Sequence, residues 1–249
     1  MTQYQNLTTA ISWALYSLCG LIFAFFLSWM LLAQFDFGYS LLHDTMKIQQ
    51  HSNKYGPQNR YRKNFQLTDK QEKVRLFAAI NTSIHNHGEG LSSIKYQRTN
   101  GKPLGTLLHH AEIVHLKDVA NLLDVLKVIA LFAVAIWIFF IVLFSRKKIS
   151  MPNFKQQILG IIALILIAGA LVWLIGPVSV FYAFHEWIFP DNHKWFFYYQ
   201  ESLMTILMKA PFLFGYIAIA IAALAIPIYM ALNFIVFRLL SLHRKSLQN

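Results

Sequence analysis

The sequence predicts an all-α transmembrane fold: a four-helix membrane bundle with an extracytoplasmic domain, α or α+β, between helices 1 and 2. Three observations predict it. Only 13% of the 249 residues are charged and 56% are hydrophobic, whereas soluble domains run nearer 25% charged. Four uncharged stretches reach the roughly 20 residues that a helix needs to cross a hydrocarbon core about 30 Å thick. Between the first two lies a polar segment, Asp36 to Val119, long enough for a small domain.

Taken in order, no Asp, Glu, Lys, Arg or His precedes Asp36, so Ala10 to Gln34 is the first span. A cleaved signal peptide fits poorly, because the apolar part is too long and no basic segment stands before it. Tyr16-Ser17-Leu18-Cys19 is also a poor lipid-attachment box, since bulky Leu18 stands where a small residue is expected. At 1.5 Å per residue Cys19 lies roughly 15 Å into the span and reads as a small core residue. The second span covers Ala120 to Phe144, with Asp124 and Lys127 at its entry and Val128 to Phe144 uncharged. The third runs from Ile158 to Val180, with Gly176-Pro177 breaking it near its end. The fourth lies between Lys209 and Arg238 with Pro227 inside. The division that follows is 1–35 as the first transmembrane helix and 36–119 as the extracytoplasmic domain. Residues 120–249 hold three transmembrane helices, with an outer histidine and aromatic segment at 181–209.

Charge sets the orientation. Ser145 to Lys155 carries Arg146, Lys147, Lys148 and Lys155 with no acid, and the tail carries Arg238, Arg244 and Lys245. Both read as cytoplasmic, which puts the N-terminus inside and leaves Asp36–Val119 and Phe181–Lys209 outside. Twelve Lys and Arg in the long segment pull the other way. Loops beyond about 60 residues translocate largely regardless of charge, so the short loops decide. The net charge of +11 is then a matter of topology and anionic phospholipid. No nucleic-acid recognition motif accompanies it, so nucleic acid is not an expected partner.

Within 36–119, Thr68 and Gln71 read as a capping box. Val74, Phe77, Ile80 and Ile84 follow at helical spacing, and Gly88 is a stop signal. Leu91 to Tyr96 with the Asn100-Gly101 turn reads as a hairpin. A second helix is expected from near Thr106, and His51 to Arg62 reads as an irregular loop.

Two stretches hold the chemistry. The first is His109 to Val119, where Glu112, His115 and Asp118 recur every three residues on one helix face. A carboxylate one turn away orients an imidazole and raises its basicity. The zinc-protease motif is excluded, because Ala111 stands where a histidine must precede Glu112. The second stretch is Phe181 to Phe197. Trp187, Trp195, Tyr198 and Tyr199 fit an interfacial aromatic belt. His185 differs, as an ionisable group soon after a long apolar run and a Gly-Pro break. His85, His87, His109 and His110 are a weaker metal candidate, and the site is expected to need no metal and no other cofactor. One cysteine excludes an intramolecular disulfide, and neither a phosphate-binding Gly-rich loop nor a serine-hydrolase elbow is present.

The span order, Glu112-x-x-His115-Leu116-x-Asp118-Val119 before the second span, and Phe184-His185-x-x-Ile188-Phe189-Pro190 with Trp195-x-Phe197 after the third resemble a bacterial family. It is that of the lipoprotein intramolecular transacylase. Leu116 stands for the family's Met and Ile188 for its Phe, and both swaps keep an apolar side chain.

The resemblance implies an acyltransferase of the inner membrane, with its active site at the outer face. It would move the sn-2 acyl chain of a diacylglyceryl lipoprotein to the N-terminal cysteine's amino group, giving the lyso form. It also implies His115 and His185 as the catalytic pair, with Glu112, Asp118, Tyr182 and Trp195 in support. The expected partners are the lipidated N-terminus and membrane phospholipid. Two other readings stay open: a different interfacial acyl hydrolase or acyltransferase, and a non-catalytic envelope scaffold.

Overall fold

The structure is a computed structural model that describes residues 2–146 and 150–246, with side chains described for 7–146 and 150–242. Lys147, Lys148, Arg244 and Lys245, which helped orient the chain, fall outside those side chains. The chain divides into two compact units. One comprises Met1–Trp29, Lys127–Phe184 and Ile221–Asn249; the other comprises Met30–Leu126 and His185–Ala220.

Among the described residues four helices are long and apolar enough to cross a membrane: α1 (Thr2–Ala33), α5 (His110–Ser145), α6 (Phe154–Ile175) and α9 (Phe212–Ser246). In the first unit α1, α5 and α9 share a core in which Tyr16 and Cys19 meet Ala133, Trp137, Phe140 and Phe144, with Val236 and Leu240. Gly20 permits this closeness, since a Cβ there would lie 2.8 Å from the Trp137 indole nitrogen. Hydrocarbon offers no hydrophobic drive between helices, so buried polar bonds add attachment. Tyr16 donates to Asn233 Oδ1 at 2.6 Å, and Ser28 donates to the Ile221 carbonyl at 2.8 Å.

The α6 helix is apolar all round, and no residue of its most hydrophobic stretch is buried within the protein. Hydrocarbon itself is the solvent for such a surface. At Gly176 the backbone turns to φ +88°, where a side chain would strain it, and Pro177 starts α7 (Pro177–Ile188). The break falls where Gly176-Pro177 predicts it.

The second unit is polar and mixed. It is built from α2 (Tyr39–Thr45), α3 (Ile48–Tyr55), α4 (Lys70–His85), a hairpin of β1 (Lys95–Gln97) and β2 (Pro103–Thr106), and α8 (Leu203–Met208). Its core includes Tyr39, Ile48, Phe65, Leu76, Ile80, Leu91, Tyr96, Leu107 and Leu203. The Tyr39 and Phe77 rings stack at 4.2 Å. The Tyr39 hydroxyl donates to the Leu207 carbonyl at 2.7 Å, and Asn81 donates to the Ala33 carbonyl at the end of α1. All six α8 residues are buried, so His185–Ala220 is integral to this unit rather than an appendage.

Four sequence expectations change here. The α4 cap is Asp69, whose side chain accepts from Glu72 N, one residue beyond the expected Thr68. Residues 51–62 are not all irregular, because α3 runs to Tyr55 and a 3-10 turn covers Gly56–Gln58. Within the expected hairpin, Leu91–Ser93 is a 3-10 turn and only Lys95–Gln97 pairs with β2. The helix expected from Thr106 begins at His110, since β2 continues to Thr106.

Candidate active site

Both sequence-predicted histidines fall in the second unit. His115 lies one turn inside α5 and is 9% exposed. His185 lies in the last turn of α7 and is partly buried. Their ring centroids are 6.3 Å apart. That is too long for a direct bond between the rings, yet short enough for one reacting group to reach both.

Aromatic side chains of the segment after α7 frame the pair. Phe189 packs edge-on against His115 at 4.9 Å, and Phe197 lies 6.1 Å from it. Trp195 lies against His185 at 4.9 Å and Phe189 at 5.3 Å. The His115 Nδ1 is buried and has no protein hydrogen-bond partner. A buried polar atom without a partner costs free energy, so this one is available to a group brought in by a substrate.

The helix face predicted to carry Glu112, His115 and Asp118 exists, but neither carboxylate is directed to His115. Glu112 is fully buried and accepts three bonds. Its Oε1 takes Ser202 Oγ at 2.6 Å and Met204 N at 3.2 Å; its Oε2 takes His109 N at 2.7 Å. The last bond is the return half of a capping box at the start of α5, and the first two fasten α8 to it. Asp118 instead accepts from His193 Nδ1 at 2.7 Å. The expectation that Glu112 or Asp118 orients His115 is thus not met by a direct contact.

Of the supporting aromatics, Trp195 joins the pair, while Tyr182 belongs to the first unit with its ring 5.9 Å from Phe181. Sequence reasoning missed His193 and Ser202. A signal existed for Ser202, which precedes an apolar run and accepts from Thr205 N as a helix cap. His193 carried none beyond its place in the aromatic stretch.

The weaker metal candidates do not converge. His85 donates to the Asn81 carbonyl, His87 meets Asp124 at 2.6 Å, and His109 packs between Tyr61 and Phe197. Among the described residues no group of three or more His, Cys, Asp or Glu stands in a metal-holding arrangement.

A family model described as lipoprotein intramolecular transacylase Lit matches residues 92–213, which include both histidines and their aromatic frame. Those residues belong to the lipoprotein intramolecular transacylase family. The transacylases are enzymes, and this chain is accordingly an acyltransferase of the membrane. Solved in meso structures of the membrane integral transacylase from Bacillus cereus share the fold. Two of them, one with a histidine-to-arginine and one with a histidine-to-alanine substitution, match at 18% identity and a TM-score of 0.63. Each covers 99% of this chain, and 96% and 98% of theirs. A third matches at 20% identity and a TM-score of 0.62, covering 99% of this chain and 100% of its own. No curated protein matches the chain.

Proposed function

We propose that this transacylase family member moves the sn-2 acyl chain of a diacylglyceryl lipoprotein to the amino group of its N-terminal cysteine, using His115 and His185 as an acid–base pair. The observation that carries the reading is the buried, unpartnered His115 Nδ1 within one substrate group's reach of His185.

Both reacting groups belong to the substrate. Binding need only fold the headgroup until amine and ester meet, and proximity supplies much of the rate. The cysteine ammonium, with a pKa of about 8, must first lose a proton. An imidazole with an ordinary pKa near 6.5 takes it at neutral pH. The amine then attacks the sn-2 ester carbonyl, the C–N amide bond forms, and the ester C–O bond breaks. The leaving glycerol alkoxide takes a proton from the second imidazole. As the amide forms the nitrogen gives up a second proton, which restores the proton that the second imidazole passes to glycerol. Of the three ammonium protons one stays on the amide, one is accounted for on the glycerol oxygen and one goes to solvent. No enzyme nucleophile is consumed, and the lipopeptide's total mass is unchanged.

His185, the more exposed of the two, suits the ammonium and the role of base. His115, under Phe189 and Phe197, suits the ester and the role of acid or oxyanion donor. The ester lies at the depth of the glycerol backbone, which fits a site at the outer face of a bacterial inner membrane with both chain termini cytoplasmic. In this reading the polar residues of 36–119 form the extracytoplasmic domain, 1–35 and 120–249 supply the spans, and membrane phospholipid surrounds them.

The test is a diacylglyceryl reporter lipopeptide incubated with the bilayer-embedded protein and read by tandem mass spectrometry. The expected product is an N-acyl, monoacylglyceryl lipopeptide of unchanged mass. A product lighter by one acyl group assigns hydrolysis instead. An unaltered substrate with folded protein sinks the proposal.

A further inference from the structure

The segment 189–197 supplies rings from Phe189, Trp195 and Phe197 to the two histidines. It is ordinary loop backbone, apart from a turn in which His193 N donates to the Pro190 carbonyl at 2.9 Å. Aromatic packing alone does not fix such a segment's register against a helix. A directional, charge-assisted bond does. One is present: His193 Nδ1 donates to Asp118 Oδ2 at 2.7 Å, with the carboxylate group mostly buried.

Asp118 is one helical turn beyond His115 on the same face of α5, so this bond lands the segment beside the imidazole that its rings cover. It engages Oδ2 of a carboxylate that shares the helix face with His115. Further along, the Lys194–Glu201 pair at 2.8 Å and the Ser202–Glu112 bond hold the segment's far side.

We propose that His193 is a positioning residue of the acyl-transfer site, which through Asp118 fastens the 189–197 segment over His115. This inference rests on the reading of His115 and His185 as the reacting pair. His193 itself touches neither reacting group. Its contribution is the geometry of the cover, and its donor atom matters rather than its ability to titrate.

The experiment follows two readouts on the full chain in a bilayer. The first is the rate of carbethoxylation of His115 by diethyl pyrocarbonate, read on its peptide by mass spectrometry. This readout needs no turnover. His193→Ala is expected to label at His115 about tenfold faster than wild type, the scale of one charge-assisted bond. His193→Asn keeps a donor at the Nδ1 position and is expected to stay within about twofold of wild type. Asp118→Asn keeps the shape, loses the charge assistance, and is expected to fall between them.

The second readout is transfer on the reporter lipopeptide, expected to fall about tenfold in His193→Ala and to recover in His193→Asn. Labelling of His193→Ala at the wild-type rate overturns the proposal. So does equal labelling of the Asn and Ala variants, which would make the imidazole's charge rather than its donor the active feature. If His193→Ala does not fold, Asp118→Asn carries the test, and a wild-type labelling rate there overturns it. The expected labelling pattern without N-acylation by wild type supports the positioning role and removes the transacylase reading, so the two failures are distinguishable.

Discussion

Glu112 and Ser202 lie 90 residues apart in the chain and are joined by a 2.6 Å hydrogen bond that both bury completely. With Met204 N and His109 N also directed at it, the Glu112 carboxylate joins the first turn of α5 to the first turn of α8. Each partner is a donor, so the site calls for a side chain with acceptors alone.

Glu112→Gln is therefore expected to destabilise the protein. The amide nitrogen cannot accept, and it leaves one buried donor facing another donor, at a cost of about 2 kcal/mol. Chemical denaturation in a membrane mimetic measures the loss. A variant as stable as wild type would show that the carboxylate does not hold α8, and would return Glu112 to the role of orienting His115.

Asp69→Ala tests the observed start of α4. Removing the acceptor of Glu72 N is expected to cost about 1 kcal/mol. Thr68→Ala leaves that cap untouched, since the Thr68 hydroxyl donates to the Phe65 carbonyl rather than serving α4. The two midpoints of unfolding, compared directly, decide which residue caps the helix.

His51 makes stability depend on pH. Burial first, then the nearby Lys209 and Lys54 charges, hold its imidazole down at about 4 from an ordinary 6.5. Between those values the unfolded chain binds the proton and the folded chain does not, so stability rises with pH across the window. The contribution is fully present above pH 6.5 and is lost as pH falls towards 4. His51→Phe keeps a ring against Tyr55 and Tyr199, which lie at 4.7 and 4.4 Å, while removing the titration. Its denaturation midpoint should fall less than that of wild type between pH 6.5 and 4.5. Equal falls would contradict the assignment.

How far the molecule was readable in its residues differs by element. The spans were readable because hydrocarbon imposes a length and an absence of charge that few other structures satisfy. The Gly176-Pro177 break and the Asn100-Gly101 turn were readable because each depends on local backbone chemistry, and Gly101 indeed sits at φ +78°. The α3 helix was not. It buries only Ile48 and Ser52, too thin an apolar stripe to stand out, and His51 and Tyr55 instead pack on Tyr199 far along the chain.

The site divides in the same way. His115 and His185 stood out by motif and by depth in apolar surroundings. The partners of Glu112 and Asp118 did not, because helical spacing says which residues share a face and not which distant donor reaches it first. Ser202 and His193 come from a segment that the sequence marks mainly as aromatic, and their bonds span 90 and 75 residues.

The central claim is that His115 and His185 carry the sn-2 chain to the amine within one lipopeptide. The most direct test is a reporter labelled with deuterium in the sn-2 chain alone. It is incubated in a bilayer with wild type and with the His115→Ala, His185→Ala double variant, and tandem mass spectrometry then reads which position holds the label. The account predicts deuterium on the cysteine nitrogen with unchanged total mass for wild type, and an untouched ester for the double variant. Label retained on glycerol in the wild-type product, or transfer at the wild-type rate by the double variant, would contradict it.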